Sequence, residues 1–62
     1  MDLVLITDKF LFGLQQLADG ATDFISIPHF VQQHGGNQVL LRRIAEAQDF
    51  QVKADGCVYM PS

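Results

Sequence analysis

"FQVKADGCVYMPS", Phe50 to Ser62, closes the chain as strand, tight turn and strand. Apolar residues alternate on both sides of Asp55-Gly56, the period-2 pattern of a half-buried hairpin. Asp-Gly between such runs is a strong hairpin signal, because a type I′ turn needs positive φ at both central residues. A two-residue loop there sets Ala54 opposite Cys57, Val52 opposite Tyr59 and Phe50 opposite Pro61, all on the core side. Gln51, Lys53, Val58 and Met60 then lie on the other face. A lone two-stranded hairpin is barely stable in water. This one must lean on the rest of the chain or on a partner.

The preceding segments are written in helical code. "NQVLLRRIAEAQDF" has Asn37 as N-cap, because the amide oxygen can accept from the first free backbone N–H groups. Its apolar face is Leu40, Leu41, Ile44 and Ala47. "PHFVQQHGG" is a two-turn helix, apolar at Phe30 and Val31 and closed by Gly35-Gly36. Pro28 suits its first turn, where a missing N–H costs nothing. The turn between these helices is short and glycine-rich, as a helix-turn-helix needs. "DFISI", Asp23 to Ile27, is β-branched and alternating and reads as a short strand.

"MDLVLITDKFLFGLQQLADG" is the first helix. Leu3, Ile6, Phe10, Leu14 and Leu17 recur every three or four residues as its buried stripe, with Val4, Leu11 and Ala18 beside them. Two starts compete, Asp2 capping a long helix or Thr7 capping a shorter one. Gly20 is its stop. Leu5 and Phe12 fall off the stripe, seven residues apart and so on one second face. Either the chain wraps over them or they form an interaction surface, such as a dimer seam.

The order is helix, strand, helix, turn, helix, strand, wing, strand. With "SIPHFVQQHGGNQVLLRRIAEAQDF" followed by "VKADGCVYM", the chain resembles a winged helix-turn-helix domain over nearly its whole length. The resemblance is to the superfamily pattern. It implies a small α+β fold of three helices, a short strand and a C-terminal hairpin wing, in one domain spanning residues 1–62. It further implies that "FISI" pairs with the hairpin as a third strand, giving the support that a lone hairpin lacks.

Length and composition agree with that frame. Sixty-two residues bury only about 60% of the surface of the unfolded chain, and a core this small yields roughly 3–5 kcal/mol. Cys57 is the only cysteine, so no disulfide forms within one chain, and no Cys/His cluster offers a zinc site. That usage suits a reducing compartment, and a cytoplasmic protein is the expectation. "LVLI" is too short for a signal-peptide core and follows Asp2. No stretch approaches the ~20 apolar residues of a membrane span. Yet 48% of the residues are hydrophobic and five are Phe, more than so small a domain can hide. Some must lie outside, where a contiguous patch marks a contact surface.

The net charge of −3 resides in residues 1–36, where Lys9 faces Asp2, Asp8, Asp19 and Asp23. In the remainder Arg42, Arg43 and Lys53 balance Glu46, Asp49 and Asp55. In winged-helix proteins that bind DNA, the third helix enters the major groove and the wing touches the backbone or minor groove. The resemblance thus places Gln38, Val39, Arg42, Arg43, Glu46 and Asp49 on the exposed face of helix 3, and Lys53 on the wing. Arg reads guanine bidentately and Gln reads adenine, so Gln38, Arg42, Arg43 and Lys53 are the candidate nucleic-acid contacts. Glu46 stands four residues after Arg42 and three after Arg43, so it can pair with either. The bland reading of the arginines is a solvated face balanced by its own acids. Three cations give a salt slope of about −2.7, weak for a single copy.

Other candidates carry less. His34 reads as a half-buried packing residue beside Phe30 and Val31, and His29 as exposed; five residues apart, they do not share a metal. Cys57 has no helix N-terminus or His nearby in sequence to lower its pKa. Tyr59 and Phe50 can stack on bases only if they are not turned into the core. No metal-ligand spacing, phosphate loop or nucleophile with a positioned base is present. The expectation is therefore no enzyme, no cofactor and no metal. DNA is the leading partner, and a protein partner without DNA binding is the alternative. RNA comes third, and a homodimer or a place in a larger protein fits any of these.

Overall fold

The computed structural model describes residues 2–61. It contains α1 (Leu3–Ala18), β1 (Ile25–Ser26), α2 (Ile27–His34), α3 (Gln38–Ala47), β2 (Gln51–Val52) and β3 (Cys57–Tyr59). The strands form one antiparallel sheet in the order β1-β3-β2. This is a small α+β fold, compatible with a winged-helix-like layout. The segment "FISI" does supply the third strand, shortened to two residues because Ile27 already belongs to α2.

Each helix end has a local cause. Asp2 caps α1, its carboxylate accepting from the Val4 N–H at 2.9 Å, and this selects the long helix over a start at Thr7. At the other end Gly20 (φ 79°) donates to Leu17 and Ala21 donates to Gln16, a Schellman closure in which a left-handed residue satisfies the last carbonyls. Ser26 caps α2 through its hydroxyl, and Pro28 lies in the first turn. Asn37 caps α3, accepting from Val39 at 2.8 Å and Leu40 at 3.3 Å. α3 stops at Ala47, short of the Phe50 expected from sequence, and closes by a second Schellman pair: Asp49 donates to Glu46 and Phe50 to Ala45.

The core is Phe10, Leu14, Leu17, Ile27, Leu41, Ala45 and Val58, with Phe30, Ile44, Phe50 and Val52 packed at its edge. Phe10 meets Phe30 edge to face at 5.3 Å. Leu3, expected in the stripe of α1, is 58% exposed, and burial along the stripe begins one turn later at Ile6. On α3 the buried pair is Leu41 and Ala45, one helical turn apart, so Leu40 and Ala47 rotate outward. No helix among the described residues is long and apolar enough to cross a membrane.

The hairpin register differs from the expectation by one residue. Val52 pairs with Val58 and Gln51 with Tyr59. The loop has three residues, Ala54 to Gly56, closed by Lys53 N–H to the Cys57 carbonyl (2.9 Å) and Gly56 N–H to the Lys53 carbonyl (3.0 Å). A type I′ turn would hold Asp55 at positive φ; here only Gly56 is left-handed (φ 88°). Asp55 instead turns its carboxylate onto the Cys57 N–H at 3.0 Å. A three-residue loop with glycine at the left-handed position is a common hairpin closure. One residue of slip exchanges the faces of a strand. Val58 therefore enters the core at 0% exposure while Tyr59 and Cys57 turn outward, the reverse of the expected arrangement for this strand. Phe50 and Val52 do pack inward.

Candidate nucleic-acid interface

Capping at Asn37 and burial of Leu41 and Ala45 fix the rotation of α3 about its axis. Gln38, Val39, Arg43 and Glu46 are left exposed, and Arg42 is half-buried. Among the described residues, side-chain hydrogen bonds serve caps and turns or join Gln15 to Asp19, and none joins Arg42 or Arg43 to Glu46. Asp49 lies beyond the end of the helix, in left-handed conformation (φ 68°), and drops out of the α3 face. Val39, 61% exposed, adds an apolar spot between the polar groups.

Lys53 is exposed but belongs to a different surface. Opposite Cys57 across the hairpin, it shares the outer sheet face with Tyr59, its ammonium 5.9 Å from the ring centroid. Phe24 stands beside that ring at 6.0 Å and is 49% exposed. The geometry thus groups Gln38, Arg42 and Arg43 on one helix and sends Lys53 to an aromatic face on the far side of the sheet. Phe24 and this aromatic face were missed in sequence. The clue was strand alternation, which puts Phe24 and Ser26 on the face opposite Ile25.

Cys57 is half-buried; burial raises its thiol pKa above the ordinary value, and the Asp55 carboxylate adds to the rise. The same causes, burial first and then its neighbours Cys57 and Asp55, raise Tyr59. A thiol shifted upward is a poor nucleophile at neutral pH. His34 packs on Phe30 at 4.7 Å between ring centroids, and His29 is exposed. Among the described residues no group of three His, Cys, Asp or Glu side chains could hold a metal. An open groove of about 610 Å³ runs over β1 between α1 and α2, lined by Gln16, Phe24, His29, Phe30 and Gln33 among others, with no Asp, Glu, Lys or Arg in its lining.

Among the described residues nothing covers the outer face of α1. Leu5 is 53% and Phe12 65% exposed, with Val4 at 68% and Leu11 at 38% on its flank. No protein-family model, curated protein or solved structure matches the chain.

Proposed function

We propose that this chain is a winged-helix-like module that binds duplex DNA through α3. What supports the reading is the fixed rotation of α3. The helix is capped at Asn37 and anchored by Leu41 and Ala45, so it directs Gln38 and Arg43 outward with Arg42 at their side. Guanidinium and amide groups on one exposed helix are the donors that read guanine and adenine edges in a major groove. Lys53 lies beside Tyr59 on the other side of the sheet and does not join this contact. Only Arg42 and Arg43 offer cations to phosphates from α3, so a single copy binds weakly, with a salt slope of about −1.8. Fluorescence anisotropy with a labelled random duplex at low salt tests this. Binding that falls at least tenfold in the Arg42→Ala/Arg43→Ala variant fits the proposal, and equal binding by that variant refutes it.

A second reading is a protein-docking module without DNA binding, with no activity on a substrate. Val39 and Leu40, 61% and 41% exposed on α3 itself, favour it, because apolar groups on a groove-reading face gain nothing from phosphates. In the same titration, absence of binding at low salt supports this reading.

A further inference from the structure

The described core of this protein holds eight buried hydrophobic residues, while nine large hydrophobics remain exposed. Five of those nine lie on α1, where Leu3 continues the stripe of Ile6, Phe10, Leu14 and Leu17 while Val4, Leu5, Leu11 and Phe12 lie off it. A helix that is apolar on both sides belongs inside a body, with something on each side of it. The fold supplies one side. The other faces away.

We infer that the second side is covered by another copy of this chain, with α1 packed against α1 in parallel through Leu5 and Phe12. Two observations select that occupant and that direction. The first is shape. Leu5 at 53% and Phe12 at 65% exposure, with the stems of Asp8, Lys9 and Gln16 beside them, form a straight strip one helix wide. A second α1 presents the same strip and fits it along its length.

The second is charge. At 3.6 residues per turn, Asp8 and Lys9 stand about 50° to either side of the line through Leu5 and Phe12. A two-fold axis parallel to the helices sets Asp8 of each copy beside Lys9 of the other, twice. With axes about 9 Å apart, the two Cβ atoms come within ion-pair reach. An antiparallel pair instead faces Asp8 with Asp8 and Lys9 with Lys9. The seam is thus apolar at its centre and complementary at its edges only in the parallel arrangement. The Lys9 stem of the second copy also lies toward Val4 and Leu11, covering part of that flank while its ammonium stays wet.

Sedimentation velocity over a concentration series, on the protein without nucleic acid, tests the inference apart from the DNA reading. Wild type should run as a dimer at high micromolar concentration and dissociate on dilution. Phe12→Asp should be a folded monomer by circular dichroism, since the side chain it replaces is 65% exposed. Should that variant misfold, Leu5→Gln offers the same reading with a smaller change. Asp8→Lys and Lys9→Asp should each weaken the dimer at least tenfold, and the double exchange should restore it. A monomeric wild type at all concentrations overturns the proposal. A dimer indifferent to Phe12→Asp places the interface elsewhere and overturns it too. Equal dimerisation by both single charge variants overturns the parallel pairing.

Discussion

Gly56 sits so tightly against Pro28 that a Cβ on it would lie 2.8 Å from the proline Cδ. The Gly56 carbonyl also accepts the Ile27 N–H at 2.9 Å. The hairpin turn is thereby seated on the first turn of α2, and this answers how so short a hairpin persists. It is pinned at its turn by α2, along β3 by β1, and through Val58 by the core.

Gly56→Ala should accordingly be among the most damaging single-methyl changes in the chain. It combines a clash with a ring held by its own backbone and a φ of 88° that alanine resists. A loss of about 2–3 kcal/mol is expected, a large part of the roughly 3–5 kcal/mol available to a domain of this size. Urea unfolding followed by circular dichroism measures it; a change under 1 kcal/mol would mean that the turn is not seated this way.

The second closure runs in the opposite direction. Asp49 occupies the left-handed position after α3 (φ 68°), where Gly20 serves α1. Asp49→Gly should stabilise the protein by about 1 kcal/mol, read as a higher urea midpoint at unchanged slope. Since Asp49 lies outside the α3 face, DNA affinity should not fall.

Asn37→Ala removes the acceptor for both the Val39 and the Leu40 N–H groups. About 1 kcal/mol of stability should be lost. Amide exchange in the first turn of α3 should speed up more than in α1, which a loss of stability shared evenly by all elements would not produce.

Cys57 should alkylate slowly. Its pKa is raised by burial and by the Asp55 carboxylate, and a raised pKa means less thiolate at a given pH. Iodoacetamide at pH 8 should label the folded protein several-fold more slowly than the urea-unfolded one. Asp55→Asn should narrow the gap. Equal rates for folded and unfolded protein would contradict the environment described.

Much of the fold was legible in the sequence because caps and breakers act locally. Asp2, Pro28, Asn37 and Gly20 each do their expected work within one turn of chain. The order of elements followed from them, whereas the pairing of "FISI" with the hairpin was what the winged-helix resemblance implied. What failed was rotation and register, which tertiary packing decides. Asp-Gly fits both a two-residue and a three-residue loop, and the choice rests on Asp55 preferring the Cys57 N–H to a left-handed backbone. That preference moved Val58 inward and Tyr59 outward, so the aromatic pair with Phe24 was invisible. On α3, Leu40 and Leu41 look equally apolar, and only the position of the other elements buries Leu41. The candidate contacts Gln38 and Arg43 were placed correctly on the surface, whereas Arg42 is half-buried and Lys53 lies beside Tyr59 on another face.

Most direct for the central claim is the salt dependence of duplex binding. Anisotropy titrations between 20 and 200 mM salt give the slope of log K against log salt. Binding by Arg42 and Arg43 of one copy predicts a slope of about −1.8, and of two copies about −3.6, with the Arg42→Ala/Arg43→Ala variant losing it. No binding at 20 mM salt, or a slope that the double variant leaves unchanged, would contradict the proposal that α3 holds DNA.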